Sequence, residues 1–240
     1  MKDNLVSGAG YLLKGFALLN EPGIRRYVWL PILMNLVILT AGVYWAVGYV
    51  TGMDWLHEGW WAWLAWLIVP VAVLLSVMVS GYFFSAILLL LASPFYGLLA
   101  GKIEERYGIV APEESLASLI PRTLGRELVK MAYYMPRYLL LFVIPWLLPL
   151  LIPVMPFVWF AFGSWVMSLQ YSDYTLDNHQ KDFRSSRKIV AETRWTAYGF
   201  GASVSLLMAV PVLNCLVPPA AVIGATMWQM EREQRQPRLR

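Results

Sequence analysis

Long uncharged apolar runs alternate with short charged segments along the chain, and their lengths indicate how each run meets a membrane. Residues 138–172 and 195–230 contain 35 and 36 residues without a single charge. A helix of the first length would extend about 52 Å, far beyond a hydrocarbon core of ~30 Å, whereas two full crossings need roughly 40 residues plus a turn. We therefore predict that each run is a helical hairpin that enters the membrane and returns to the side it came from.

Prolines divide both runs near their middles, where each removes a backbone donor and clashes with the preceding helical turn. The second arm of the second run, residues 219–230, would be only about 18 Å long as a helix. Broken backbone at membrane depth is tolerated where protein or a water-filled cavity covers it, so two hairpins suggest a polar route through an assembly. The prolines are Pro145, Pro149, Pro153 and Pro156 in the first run and Pro211, Pro218 and Pro219 in the second.

Two other apolar segments are long enough to cross completely. Residues 27–50 are the first predicted span, and residues 66–101 are the second. The second helix is predicted to continue through Arg106 to a stop at Gly108, since glycine readily adopts the left-handed conformation of a helix end. Residues 3–20 have the pattern of an amphipathic helix in the membrane surface. Its predicted apolar face comprises Leu5, Ala9, Leu12, Leu13 and Phe16.

Basic residues test this layout. All 19 Lys and Arg lie before residue 27, in residues 102–137, in residues 173–194 or after residue 230. Two full spans and two hairpins place every one of them on one side, which the positive-inside tendency makes cytoplasmic. Two complete crossings per hairpin would give the same parity, so the charges exclude only odd numbers of crossings.

The two cytoplasmic segments have predicted structure of their own. Residues 102–137 are expected to contain two amphipathic helices, the first ending at Pro121. Residues 173–194 are expected to form a polar loop.

Composition supports a membrane protein, because 59% of the residues are hydrophobic and only 14% are charged. The predicted fold is an all-α integral membrane protein, a single domain of residues 1–240 with two full transmembrane helices, two half-penetrating helical hairpins and amphipathic interfacial helices. A net charge of only +4 makes nucleic acid an unexpected partner. The lone Cys215, at the predicted tip of the second hairpin, excludes internal disulfides and argues against a cysteine-built metal site.

The segment Gly23-Ile24-Arg25-Arg26 follows Pro22 at a helix start and has the right chemistry for a tetrahedral dianion. It offers free backbone N–H groups, the positive end of the helix dipole and two guanidinium groups. The alternative is a pair of basic membrane anchors, which are common at cytoplasmic helix ends.

Glu104, Glu105 and Arg106 lie where the second predicted span leaves the membrane. They are candidates for residues that line or gate an anion entrance. A solvated helix end with local ion pairs is the alternative.

Asp173, Asp177 and His179 invite a metal-site or lipid-hydrolase interpretation, but their spacing matches no standard ligand signature. Capping and turn roles are the preferred prediction for them. No nucleophile elbow, Walker loop or zinc-protease motif occurs in the sequence, so no enzyme activity, metal or cofactor is expected.

Short motifs occur in a consistent order along the chain. They are PGIRR at 22–26, SPFYGLLA at 93–100, QYSDY at 170–174, DNH at 177–179 and GATMW at 224–228. With these motifs the chain resembles the CysZ family of bacterial sulfate permeases. The resemblance implies a multi-pass sulfate transporter of the bacterial inner membrane, a homo-oligomer of two or more subunits, which supplies sulfate for cysteine biosynthesis. It also implies two spanning helices and two half-penetrating hairpins.

Two departures from the family pattern stand out. The Gly-Leu-Arg sulfate motif of the family reads Gly23-Ile24-Arg25 here and keeps its charge. Where Tyr-Pro is expected after the acidic residue, the chain has Tyr174-Thr175.

The predicted function is sulfate uptake across the inner membrane by a channel-like or ion-coupled route, with sulfate and the lipid bilayer as partners. Two rival functions remain open. The first is a membrane-organising protein whose hairpins act as wedges and which needs no anion selectivity. The second is a lipid-modifying enzyme that would depend on Asp173, Asp177 and His179.

Overall fold

In a computed structural model, residues 3–52, 70–71, 74, 93–109, 116–214 and 216–235 are described. Every regular element among these residues is helical, which confirms the all-α prediction. Cys215 and most of the predicted span 66–101 lie outside the described residues. The helices are α1 (Leu5–Leu18), α2 (Arg25–Thr51), α3 (residues 93–104), α4 (Leu116–Leu147), α5 (Met155–Asn178), α6 (Phe183–Ala191), α7 (Arg194–Met208), α8 (Pro211–Asn214) and α9 (Val217–Arg235), with 3-10 turns at Glu105–Tyr107 and Pro149–Val154.

The chain divides into two compact units, one formed by Met1–Val28 with Ser93–Arg240 and the other by Trp29–Ala92. In the smaller unit, α2 exposes large apolar side chains such as Trp29, Tyr44 and Trp45. Apolar side chains exposed in such number mark a surface that contacts lipid or protein rather than water.

Residues 93–104 and the turn Glu105–Tyr107 end at Gly108, whose φ of 76° lies in the left-handed region. This confirms the predicted stop. A side chain at this position would make that conformation costly, which explains why glycine ends the helix.

The predicted break at Pro121 is wrong, because α4 runs for 32 residues with Pro121, Pro136 and Pro145 inside it. Pro121 lies only five residues after the start of α4 and removes one backbone hydrogen bond. Further along the helix, Glu127 and Lys130 are both buried.

Helices α4 and α5 form the first hairpin through the turn Pro149–Val154. Both arms continue beyond residues 138–172, since α4 begins at Leu116 and α5 ends at Asn178. Apolar side chains near the turn are exposed, with Leu150 at 91% and Phe157 at 74%. Among the described residues one segment, Pro149–Asn178, is long and apolar enough to cross a membrane by length and composition.

The second hairpin contains α7, α8 and α9. Helix α9 has 19 residues and is longer than the predicted arm of residues 219–230, because it begins at Val217 and extends to Arg235. Nearly all of its side chains from Val217 to Met230 are buried, and it packs against α1 and α5. The proline-broken segment before α9 is therefore followed by a helix that the rest of the protein covers.

Helix α1 packs against α7 and α9, and of its predicted apolar face only Leu12 is buried in this contact. Leu5 and Leu13 are more than half exposed. Tyr11 Oη and Lys14 Nζ also reach Glu231 of α9, at 2.7 and 3.1 Å. The buried positions are Gly8, Tyr11, Leu12 and Gly15.

Glycines set the close approach of α1 to its neighbours. A Cβ atom at Gly15 would lie 2.0 Å from the Ala220 carbonyl oxygen, and one at Gly8 would lie 2.1 Å from the Thr196 carbonyl oxygen. Hydrophobic periodicity gives glycine little weight, so it does not reveal this packing face.

Gly15→Ala is expected to destabilise the protein by about 1–3 kcal/mol, because the backbone of α9 must move to admit the methyl group. Gly10→Ala is the matched control, since a Cβ at Gly10 meets nothing within 4 Å and Ala favours a helix by roughly 0.5–1 kcal/mol over Gly. Thermal unfolding of the purified variants in detergent measures both. Equal melting temperatures for the two variants would show that α1 does not pack as described.

Candidate functional site

A tight turn precedes α2 and contains the predicted anion-binding segment. Gly23 has a φ of +90°, which favours glycine, and Ile24 is buried at 2% exposure. The backbone N–H groups of Ile24 and Arg25 both donate to the Glu21 carbonyl at 3.1 Å. The expectation of free N–H groups at these two positions is therefore wrong, and the anion chemistry of the turn depends on its side chains and the helix dipole.

Arg25 and Arg26 are both exposed at the first turn of α2. The Arg26 guanidinium lies 4.8 Å from the Tyr27 ring centroid and donates to the Tyr27 hydroxyl at 3.1 Å. Neither arginine forms an ion pair with a residue that the structure describes. The turn thus presents two cations that have no acidic partner within the described residues, at the positive end of a helix dipole.

The second group of candidates contacts this turn through Arg106, which forms an ion pair with Glu21. Glu105 forms an ion pair with Lys102, and both side chains are partly exposed. Glu105 thus makes the kind of local ion pair that a solvated helix end allows. Arg106, in contrast, connects the end of α3 to the turn before α2.

Glu104 is fully buried, so a solvated helix end is the wrong description for it. Its Oε1 accepts a hydrogen bond from Asn178 Nδ2 at 3.4 Å. Its Oε2 lies 3.7 Å from Nε2 of His179, whose Nδ1 lies 4.0 Å from Glu233. The Glu104 carboxylate raises the pKa of His179, burial opposes that rise, and Glu233 adds to it.

The pairing of His179 with Glu104 makes stability depend on pH. Because the folded pKa lies above the ordinary 6.5, the stabilisation is complete below that value and is lost as pH rises through the raised folded pKa. We expect the melting temperature to fall over this window and His179→Gln to flatten the dependence. Melting curves across a pH series measure it, with Glu104→Gln expected to have the same effect. A slope that His179→Gln leaves unchanged would exclude this pairing as the cause.

A buried ion pair joins α4 to α5. Arg126 donates to Asp173 through Nε at 2.9 Å and Nη2 at 2.6 Å, a two-pronged contact. The Asp173 side chain is only 1% exposed, and that of Arg126 is 12% exposed. Such paired geometry is what keeps a buried carboxylate charged.

Lys130 extends this ion pair into a network. Its Nζ lies 2.6 Å from Glu127 and 3.6 Å from Asp173. Glu127 also accepts from Ser93 Oγ of α3 at 2.8 Å and from Gln170 of α5 at 3.3 Å. Three helices are thereby joined by one buried set of polar side chains.

The predicted capping role is wrong for Asp173 and Asp177, which lie within the last turns of α5 and pair with α4. Arg122 Nη1 donates to Asp177 at 2.8 Å. His179 does take the predicted turn role, because it follows α5 directly and its N–H donates to the Thr175 carbonyl at 3.2 Å.

The sequence contains a signal for this network that the sequence analysis missed. Arg122, Arg126 and Lys130 recur every four residues on α4, and Asp173 and Asp177 do the same on α5. Residues four apart lie on one helix face. Helix α4 therefore has a basic face and α5 an acidic face, and the two faces attract each other.

In the described part of the chain, no group of three or more His, Cys, Asp and Glu side chains is arranged to hold a metal ion.

Helices that expose many apolar side chains, in a chain whose basic residues all lie outside its long uncharged runs, are typical of an integral membrane protein. Residues 11–219 match the family described as Sulfate transporter CysZ/Etoposide-induced protein 2.4, and the chain belongs to this family. It is also similar to the sulfate transporter CysZ of Pectobacterium atrosepticum, with 37% identity over an alignment of 240 positions. The alignment covers 96% of this chain and 86% of the relative. These findings confirm the resemblance that the motifs indicated.

Proposed function

We propose that this protein takes up sulfate across the bacterial inner membrane and supplies it for assimilation into cysteine. The observation that carries the proposal is the similarity over 96% of the chain to a protein named as a sulfate transporter. A transporter of this family resides in a membrane, in agreement with the exposed apolar helices.

The sulfate-binding residues in this proposal are Gly23, Ile24, Arg25 and Arg26. Guanidinium groups bind a tetrahedral dianion through paired N–H donors, and the N-terminus of α2 adds the favourable end of its dipole. Buried Ile24 and the left-handed Gly23 hold the turn so that both arginines start the helix.

Glu104, Glu105 and Arg106 line or gate the entrance in this proposal. The support is the ion pair between Arg106 and Glu21, which ties the end of α3 to the sulfate turn. Sulfate at the turn would compete with Glu21 for nearby cations. The ion pair between Arg106 and Glu21 is therefore a contact that can open when the anion binds.

The proposed architecture has spans at residues 27–50 and 66–101 and half-penetrating hairpins at residues 138–172 and 195–230. Residues 3–20 form the helix at the membrane surface, and residues 102–137 and 173–194 lie in the cytoplasm. We propose a homo-oligomer, a dimer or larger, because half-penetrating hairpins need surrounding protein to cover their broken backbone.

Energetics leave both a channel-like and an ion-coupled route open. A dianion that enters against about 100 mV, negative inside, faces about 4.6 kcal/mol. Either consumption of sulfate inside the cell draws it in, or protons enter with it.

The test is uptake of radiolabelled sulfate by liposomes that contain the purified protein, together with calorimetric binding of sulfate in detergent. Saturable uptake that chloride does not suppress is the expected result. Uptake no greater than that of empty liposomes, with no sulfate binding, would favour the membrane-organising alternative. Sulfate uptake that persists in folded Asp177→Ala and His179→Ala variants would exclude the lipid-enzyme alternative.

A further inference from the structure

Two guanidinium groups from different helices lie against one tyrosine ring at the base of the first hairpin. The Arg137 guanidinium of α4 lies 3.7 Å from the Tyr133 ring centroid, and that of Arg187 of α6 lies 4.4 Å from it. Phe183 contacts the same ring edge-on, with 5.5 Å between centroids. Both guanidinium groups therefore lie within 4.4 Å of the centre of one ring.

No carboxylate among the described residues pairs with either guanidinium, whereas Arg122 and Arg126 of the same helix α4 both have acidic partners. Arg187 Nε is buried and has no hydrogen-bond partner in the described structure. A buried donor without an acceptor is costly, so an acceptor supplied by a ligand would be favoured here.

Helix α6 adds further positive charge beside the two guanidinium groups. Its Phe183, Ser186 and Val190 are buried against the protein. Arg184 and Lys188 lie three residues before and one residue after Arg187, and both are exposed. The acidic residues that flank the helix are Asp182 at its N-cap position and Glu192 at its C-cap position, where Glu192 pairs with Arg232 of α9.

The location of the two guanidinium groups indicates the chemistry of the ligand. Arg137 is the last charged residue before the 35 uncharged residues 138–172. The following Leu139, Leu140 and Phe142 are exposed by 63%, 59% and 59%. A ligand at this position meets cations at one end and an apolar surface beyond them, which is the arrangement of an anionic lipid.

We propose that Arg137 and Arg187 bind the phosphate of an anionic phospholipid headgroup, with its acyl chains along the exposed apolar side chains of α4. The phosphate accepts charged hydrogen bonds from both guanidinium groups. This site goes beyond sulfate transport. It rests only on insertion of the first hairpin in the membrane.

Native mass spectrometry of the detergent-purified protein, titrated with phosphatidylglycerol or phosphatidylcholine, tests the site. We expect phosphatidylglycerol to bind more tightly, and Arg137→Gln with Arg187→Gln to weaken it about 30-fold, or about fivefold per guanidinium. Arg194→Gln with Arg235→Gln removes the same charge from exposed residues at the start of α7 and the end of α9. This control should change the affinity by no more than about twofold, since exposed charges outside the site are screened.

Equal affinity for the two lipids, or an equal loss in both double variants, would overturn the proposal. Displacement of phosphatidylglycerol by inorganic sulfate or phosphate would also overturn it and assign the pair to a free oxyanion. If the double variant fails to fold, the single Arg137→Gln variant of an exposed residue decides the question with its expected fivefold loss.

Discussion

Replacement of both Arg25 and Arg26 with Ala is expected to abolish sulfate binding while expression and folding are retained. Both side chains are exposed, so their loss removes no packing from the protein interior. Loss of one charged hydrogen-bond partner costs about 1.5–3 kcal/mol, and each single variant should therefore bind sulfate about 10- to 150-fold more weakly. Isothermal titration of purified variants with sulfate measures the loss.

Lysine substitutions refine this result. Arg25→Lys and Arg26→Lys should recover only part of the affinity, because an ammonium group cannot make the forked contact of a guanidinium. Lys181→Ala with Arg194→Ala removes two positive charges from exposed positions outside the turn and should leave binding nearly unchanged. Full sulfate affinity in the Arg25 and Arg26 double variant would rule out this site.

Asp173→Asn is expected to produce the largest loss of stability, about 3–5 kcal/mol, because it leaves two buried cations without their shared partner. Arg126 loses its two-pronged contact, and Lys130 loses the carboxylate at 3.6 Å. We expect a sharply lower melting temperature in detergent and a lower yield of monodisperse protein.

Two comparisons isolate the buried charge as the cause. Glu105→Gln breaks an exposed pair with Lys102 and should cost only about 0–1 kcal/mol. Asp173→Leu combined with Arg126→Met removes both charges and should recover much of the stability, since apolar replacement of a buried pair is often close to neutral. A wild-type melting temperature for Asp173→Asn would mean that the pair does not stabilise the fold.

Features that depend on neighbouring residues in sequence were predictable. The bounds of α2 differ from the predicted span by only a few residues, because a long apolar run fixes where a helix begins and ends. Gly108 ends its helix as predicted, because the left-handed conformation is a local property of glycine.

Features that depend on tertiary contacts were not predictable in the same way. Continuation of α4 through Pro121 was missed, since a rule that ends a helix at proline does not include the buried contacts of later turns. Burial of Glu104 depends on Asn178 and His179, which are more than 70 residues away in sequence. The arginines at the start of α2 were found from sequence alone, because a basic pair after Pro-Gly is a local signal. The use of the adjacent N–H groups by Glu21 is visible only in three dimensions.

The contact between Tyr11 and Glu231 joins residues 220 positions apart. At a synthesis rate of 5–20 residues per second, α1 leaves the ribosome roughly 10 to 40 s before α9 exists. Helix α7, the other partner of α1, is also synthesised late, at residues 194–208, so for most of that interval α1 has neither partner from its own chain. We therefore expect ribosome-bound chains that stop before Arg194 to leave α1 open to proteases, and full protection to arise only when α9 has been released from the exit tunnel.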